Sequence, residues 1–548
     1  MTLFDHLVVA QHGKKKVVRE RRQPSRYQQA ISDQLLSGLR RITVQAVPGS
    51  GKTTTLEMLC QLITDHGLVQ RGEVAMLLAF NKVIVNTLKG RLPSTFDIRT
   101  LSSLGHLICT KNRQGLKFDP QKYEKLTREI LSGVNHLTPA ARRELSDRLD
   151  NCLQLHVGHD LGLNITEQDW VDFMDEVDAP VLGAEGVLYR LTLKTLRHGL
   201  SLLERENVMG FYDQVLAPSH YGWRLPQPVK FLMIDELQDI SAAGLYLLQA
   251  ATDEHTVIIG VGDPDQAINE WAGADANAMA NFTRHFGAQV MALPISYRCP
   301  KKVLDLARPL ASLPLEAAPN AIDGVVEDIS EDEFFNLVRP GALVICRVNA
   351  PLISLFYSLI ARSIPAFVRG RDLSRTLVAF ARDIATWDGQ RVRRENLSDK
   401  LDLTDFITNL NEYTDLLVRN IMKEAQTRGR DPGLRIATLA DKHQAMLLIY
   451  EQSGARTLGE LVKAIQQLFQ GDEERSVILT SAHRSKGTEA DDVFVWEPDL
   501  MPHPKAKSAR ARHSEDRVRY VTYTRAKRSL RFVNPRVSHL PGDFHGSA

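Results

Sequence analysis

Residues 42–55, Ile-Thr-Val-Gln-Ala-Val-Pro-Gly-Ser-Gly-Lys-Thr-Thr-Thr, constrain the fold more than any other stretch of the chain. Ile42, Val44 and Ala46 alternate as in a short buried strand, and Gly49 and Gly51 free the backbone for a sharp turn. Leu56, Leu59, Cys60 and Ile63 then recur at helical spacing, so a helix is expected to begin near Lys52. Strand, glycine-bearing loop and helix in this order make a phosphate loop of pattern A-x-x-x-x-G-K-T, with Ala46 where glycine is usual. Backbone N–H groups from Gly49, Ser50, Gly51 and Thr54 can cradle an anion at the helix start. Lys52 can reach the outer phosphates, and the Thr53 hydroxyl can hold a magnesium ion. A glycine-rich turn before an ordinary helix is the competing reading; the strand–loop–helix context favours a nucleotide.

A chain of 548 residues is too long for one core, and three or four units are expected. Its 43% hydrophobic and 24% charged content is that of an ordinary soluble globular protein. No apolar run reaches the ~18 residues of a membrane helix, and no signal-peptide segment opens the chain. Cys60, Cys109, Cys152, Cys299 and Cys346 are scattered without metal-ligand spacing, which reads as reduced core residues in a reducing compartment. The expected location is cytoplasmic, nucleoid-associated in a bacterium or nuclear in a eukaryote. Charge is unevenly spread: residues 1–41 carry nine Lys/Arg against three Asp/Glu, and residues 501–531 carry ten against two. Two basic segments on a mildly acidic body suggest a localised polyanion track, although the 1–23 arm can equally be a solvated tail.

Along the chain, Pro24–Ile31 opens an amphipathic helix in which Gln28 can read an adenine edge. Residues 73–82 read as a buried parallel strand, and Ile98–His106 as a third, with Thr100 and Ser102 at its end. Residues 107–205 are helical and charged, as an inserted domain would be. Val229–Ile240 returns as an apolar strand running into Asp235-Glu-Leu-Gln-Asp239. There Asp235 can hold the metal of a bound nucleotide, and Glu236 can accept a proton from the attacking water. Strand Thr256–Val261, loop Gly262–Gln266, helix candidate Ala267–Trp271 and strand Gln289–Pro294 follow. A second α/β pattern begins near 285, is interrupted by helices over 371–472, and resumes at Ser476–Ser481, Asp492–Trp496 and Leu530–Val533. The fold class is therefore α/β, with two P-loop-type cores built on parallel sheets, each interrupted by a mainly helical insert. The first core takes 1–106 and 206–284, its insert 107–205, the second core 285–370 and 473–548, its insert 371–472.

These motifs, in this order, resemble the UvrD/Rep-like superfamily 1 DNA helicases over nearly the whole chain. The specific segments are Asp235–Asp239, Gly262-Asp-Pro-Asp-Gln266 with Trp271 behind it, Tyr297-Arg298, His483-Arg-Ser-Lys-Gly-Thr-Glu489 and Tyr520–Ala526. The resemblance implies two RecA-like cores with ATP and Mg2+ between them and single-stranded DNA across the top. It implies catalytic roles for Lys52, Glu236, Gln266 (sensing the γ-phosphate), Arg298 and Arg525. It places Gln28 and Tyr297 on the base, Glu489 on the sugar, and Thr53 and Asp235 on the metal. Phe80, Thr100, Ser102, Trp271 and His483 are candidates for strand contacts, Trp271 by stacking. Lys486 can be a solvated lysine.

Several departures from the family pattern stand out. Val47-Pro48 replaces a small pair in the loop, Asn269 stands where a tyrosine is common, and Leu101-Ser102 replaces a Phe-His pair. The second insert is short, and no long tail follows Arg525, which puts processive unwinding in more doubt than ATP turnover. The implied activity is ATP-driven movement on single-stranded DNA, 3′ to 5′, with unwinding of duplex at single-strand/duplex junctions or displacement of proteins. Alternatives are an ATP-gated DNA clamp that does not unwind, and an RNA helicase. A protein partner subunit, no membrane, and a monomer or weak oligomer complete the expectation.

Overall fold

The computed structural model describes residues 23–133, 139–177, 181, 184–268, 275, 277–393, 397–428, 432–506 and 509–540. Trp271, Asn269 and residues 1–22 of the basic arm lie outside these.

Ser25 opens the first helix, α1 (Arg26–Leu36), through a capping box with Gln28. Next come β1 (Arg41–Ala46), α2 (Lys52–Asp65), β2 (Ala75–Ala79), α3 (Lys82–Lys89), β3 (Phe96–Thr100) and α4 (Leu101–Asn112). The third strand stops at Thr100, short of the expected His106. The Thr100 hydroxyl accepts the Ser103 N–H at 3.3 Å and caps a helix, whose Leu104 and Ile108 are buried one turn apart.

A helical unit follows. It comprises β4 (Lys117–Phe118), α5 (Lys122–Ser132), α6 (Pro139–Gly158), α7 (Glu167–Glu176), α8 (Glu185–Glu206), β5 (Val208–Met209) and α9 (Asp213–Tyr221). Its apolar core runs from Cys109 to Ala217, past the expected end at 205. The extension comes from α9, whose Leu216 and Ala217 are buried in this core; at the other end α4 is shared, with Leu104 and Ile108 in the neighbouring sheet's core and Cys109 in this one.

The chain then returns through β6 (Phe231–Ile234), α10 (Ala242–Ala251), β7 (Val257–Gly262), α11 (Ala278–Phe286) and β8 (Gln289–Leu293). These complete a six-stranded sheet of order β3-β2-β6-β7-β1-β8, parallel throughout. Its central strands are buried on both faces, which is why β2 and β6 read as unbroken apolar runs. The expected onset of the second core at 285 is too early. Gln289–Leu293 pairs with Ile42–Ala46 and closes the edge of the first sheet, a register that nothing local in the sequence announces.

Beyond it lie β9 (Ile295–Ser296), α12 (Lys301–Ala307), β10 (Glu316–Ala317), β11 (Val325–Ile329), α13 (Glu331–Leu337), β12 (Leu343–Cys346), α14 (Ala350–Ala361) and β13 (Ala366–Val368). The second helical unit is built from α15 (Arg371–Ala385), α16 (Phe406–Arg428), α17 (Gly433–Ser453) and α18 (Leu458–Leu468). The chain ends in β14 (Val477–Ser481), β15 (Ala490–Trp496), α19 (Ala509–Tyr523) and β16 (Ala526–Val533). The second sheet, β11-β16-β15-β12-β14-β13, is again six-stranded and parallel. The fold is thus α/β, with two RecA-like parallel sheets. Val47 and Ile268, from loops of the first sheet, pack into the apolar core of the second, so the two halves share an apolar seam. All five cysteines are free and buried, and no described helix is long and apolar enough to cross a membrane.

Candidate nucleotide site

The loop after β1 and the turn after β6 emerge at the same end of the first sheet, the end where α/β folds bind ligands. Gly49 and Gly51 have φ of +70° and +82°, in the left-handed region that disfavours side chains. At Gly49 space is as restrictive as conformation, since a Cβ there would stand 2.3 Å from Arg298 Cβ. The Tyr297 N–H also donates to Gly49 O at 2.9 Å, so the backbone at Tyr297-Arg298 is fastened to the loop. Gly51 starts α2 without a capping side chain, and the buried Ser50 Oγ has no hydrogen-bond partner. Uncapped N–H groups and an orphaned hydroxyl fit a phosphate.

A cleft of about 570 Å3 opens over this loop, lined by Gly49 to Thr54, Glu236, Tyr297, Arg298, Glu489 and Lys527. Lys52 Nζ lies 3.7 Å from Glu236 Oε2. Thr53 Oγ1 donates to Asp235 Oδ2 at 2.8 Å. A hydroxyl beside a carboxylate is a donor set suited to Mg2+, which usually completes its shell with water and substrate phosphate. No group of three or more His, Cys, Asp or Glu among the described residues could hold a metal without such help.

Electrostatics divide the two adjacent carboxylates. Burial, and then the charge of Glu236, push Asp235 up to about 6. Against the cost of burial, Lys52, the Gln238 amide, Lys486 and Arg525 hold Glu236 below the ordinary carboxylate range. Glu236 also has φ +53°, rare for a residue with a Cβ, in the turn that follows β6. Gln238 Nε2 donates to Glu236 Oε2 at 2.6 Å, and Gln238 Oε1 accepts the Asp263 N–H at 2.9 Å. Gln266 Nε2 in turn donates to Asp263 Oδ2 at 2.7 Å. One hydrogen-bonded chain therefore connects Gln266 to Glu236, with Asp263 pushed up to about 7 by its burial.

Four of the expected site residues stand behind the cleft surface rather than on it. Asp235 and Gln266 are buried, the first bonded to Thr53 and the second to Asp263. Gln28 turns inward, its Oε1 accepting from Ser25 N–H at 2.9 Å and its Nε2 donating to Thr55 Oγ1 at 3.0 Å. Arg525 is buried, its Nε donating to Val521 O at 2.8 Å; burial, then Arg298, lower its pKa to about 10. Arg298 and Glu489 do reach the cleft, paired with each other at 2.5 Å, and Tyr297 is 48% exposed at its rim.

Lys486, for which a solvated lysine was the competing reading, is instead largely buried and paired. It donates to Asp239 Oδ1 at 2.7 Å and to Gln266 O at 2.6 Å, joining the loop after β14 to both acidic loops of the first sheet. Sequence reasoning also missed Gln238, Asp263 and Lys527. Lys527 sits in the basic 501–531 stretch, two residues after Arg525, and pairs with Glu489 at 2.9 Å.

The candidates for strand contacts lie apart from the cleft lining. Phe80 follows β2 and is 56% exposed, Thr100 ends β3 as a helix cap, and Ser102 is exposed in the first turn of α4. These three share the sheet end that carries the phosphate loop. His483 occupies a short turn after β14, where burial and then Arg347 push its pKa down to about 4, leaving a neutral ring.

Comparison with known proteins finds similarity to DNA helicases. Residues 28–287, just under half of the chain, match the family model described as the UvrD/REP helicase N-terminal domain. The chain is 21% identical over 442 residues to an ATP-dependent DNA helicase PcrA of Staphylococcus epidermidis, covering 62% of this chain and 60% of that one. It is 25% identical over 277 residues to the ATP-dependent DNA helicase Rep of Salmonella typhimurium, covering 48% and 40%. It is 34% identical over 85 residues to the ATP-dependent DNA helicase srs2 of Schizosaccharomyces pombe, covering 15% and 10%. The chain thus spans about 60% of the length of the PcrA relative it matches.

Proposed function

We propose, on the premise that residues 28–287 place this chain in the UvrD/Rep-like helicase family, that it hydrolyses ATP with Mg2+ to move along single-stranded DNA. The observation that carries the reading is the shared cleft. Lys52, Thr53 and Glu236 come from the first sheet, and Arg298, Glu489 and Lys527 reach the same cavity from beyond it. Phosphoryl transfer is catalysed mainly by positioning and charge, so a site assembled from two halves ties turnover to their approach. Lys52 neutralises the outer phosphates, Thr53 and Asp235 hold the metal, and Glu236 accepts the proton of the attacking water. Gln266 signals the terminal phosphate through Asp263 and Gln238. Arg298 and Arg525 complete the charge on closure, while Tyr297 serves the base and Glu489 the sugar; Gln28 can join Tyr297 only by leaving its bonds to Ser25 and Thr55.

Opening and closing of the two halves steps the strand past Phe80, Thr100, Ser102, Trp271 and His483, a hinge-type cycle. The polarity is 3′ to 5′, and the substrate is a single-stranded tail at a duplex junction. Unwinding of a 3′-tailed duplex, of a 5′-tailed duplex and of a blunt duplex, each with ATP and Mg2+, tests this. Strand separation confined to the 3′-tailed substrate is the expected result. Separation confined to the 5′-tailed one overturns the polarity, and ATP turnover stimulated by RNA rather than DNA overturns the substrate.

A further inference from the structure

Glu489 is held from both sides. Arg298 Nε meets its Oε2 at 2.5 Å, and Lys527 Nζ meets its Oε1 at 2.9 Å, with all three side chains lining the cleft. We propose that Lys527 is a positioning residue, retaining Glu489 so that the Arg298 guanidinium can leave it for the terminal phosphate of a bound nucleoside triphosphate. The inference rests on the ATPase reading above and adds a residue to it.

Three observations support the assignment. First, the backbone at Arg298 is immobilised against the phosphate loop by the Tyr297–Gly49 hydrogen bond and the close approach of its Cβ to Gly49, so its guanidinium is the part left to move. Second, Arg298 lines the same cleft as Lys52 and the phosphate loop, so a phosphate bound there can compete with Glu489 for its guanidinium. Third, the spacing of Glu489 and Lys527 is set by the sheet. Glu489 directly precedes β15, Lys527 lies on β16, Ala490 pairs with Ala526 just before the register shifts to Asp492 with Ser529, and the Ala490 N–H donates to Arg525 O at 3.2 Å. Lys527 therefore stays with Glu489 while Arg298 moves.

A carboxylate with one cation resists losing it, because departure leaves an uncompensated charge beside the low-dielectric wall of the site. A carboxylate with two cations gives one up more readily, since the two repel each other and one remains. Without Lys527, Glu489 would sequester Arg298 and blunt its response to the γ-phosphate.

The test is the ratio of affinities for ATPγS and ADP, measured by equilibrium titration with Mg2+, together with steady-state ATP turnover. For Lys527→Met, ATPγS should bind about tenfold more weakly and ADP within about twofold of wild type, with kcat down about tenfold, as for one lost charge-assisted contact. Lys527→Arg should restore the ratio. So should Lys527→Met combined with Glu489→Gln, because a neutral amide no longer retains Arg298. Equal losses for both nucleotides, or a double variant no better than Lys527→Met, would overturn the proposal and make Lys527 a general contact or a structural residue. A wild-type protein that binds neither nucleotide refutes the site itself, and the inference falls with it.

Discussion

Lys486 Nζ lies 2.7 Å from Asp239 Oδ1, both side chains largely buried, and the pair is a strut between the two RecA-like halves. The same ammonium donates to Gln266 O, so a single side chain beyond β14 touches both loops that carry the candidate acidic and glutamine residues. Removing it takes one cationic partner from a buried carboxylate and unties the Gln266 loop. Lys486→Ala should destabilise the protein by about 3 kcal/mol, as breaking one partner of a buried pair does. A lowered thermal midpoint and slowed ATP turnover would show this, and Lys486→Met with Asp239→Asn should recover much of the stability.

Gly49→Ala tests the joint between the phosphate loop and Arg298. Its φ of +70° and the 2.3 Å approach of Arg298 Cβ leave no place for a methyl group. The substitution should push Arg298 out of the cleft and cost at least about a hundredfold in turnover, in the range seen when one electrostatic donor is displaced. Wild-type turnover in this variant would contradict a functional role for the contact between Gly49 and Arg298.

The pH dependence of stability should report Asp235. Its carboxyl is raised to about 6, above the unfolded value near 3.9, so the folded state binds the proton more tightly than the unfolded chain. Stability of the nucleotide-free protein should therefore fall as pH rises from about 4 to about 6, by about 2 kcal/mol from this group. Asp235→Asn should remove that group's share of the slope and leave the share of Asp263, which burial raises to about 7, measured by thermal unfolding across pH. Because a metal ion needs the carboxylate, Mg2+-dependent nucleotide binding should weaken as pH falls below about 6 in wild type.

The first helical unit has its own anchor. Lys122 Nζ donates to Asp213 Oδ2 at 2.5 Å, Gly199 O at 2.7 Å and Val208 O at 2.9 Å, while Tyr123 OH donates to Asp213 Oδ1 at 2.6 Å. Both charged side chains are fully buried, tying α5 to α8, β5 and α9. Lys122→Ala should cost about 3–5 kcal/mol, because it leaves Asp213 ionised in the core without its countercharge or forces it to take a proton. Limited proteolysis within the helical unit, with the nucleotide site still able to bind ATP, is the expected pattern.

Much of this was legible because its signals are local. The apolar runs of β2, β6, β12 and β14, the phosphate loop and Asp235-Glu236 are each contiguous, and parallel strands buried on both faces read as unbroken apolar segments. Partnerships across the chain were not legible. Ile42 pairs with Gln289 and Lys486 with Asp239, contacts that no short window of sequence contains. The end of β3 was misplaced because a threonine followed by small polar residues suits both a strand end and a helix cap; the Thr100 hydroxyl decided it by taking the Ser103 N–H. Gln28 carries the right amide for an adenine edge, yet the capping box and Thr55 engage it inward. Lys527 was hidden in a basic stretch where each lysine looks alike, and only β15 beside β16 brings it to Glu489.

The central claim, a DNA-dependent motor ATPase, is tested most directly by ATP hydrolysis at low salt with and without single-stranded DNA, for wild type beside Glu236→Gln. The account predicts strong stimulation of wild type by DNA, and a variant that still binds ATP but turns over about a hundredfold to ten-thousandfold more slowly. Wild-type protein that binds ATP tightly without turning it over, or a Glu236→Gln variant with wild-type turnover, would contradict it.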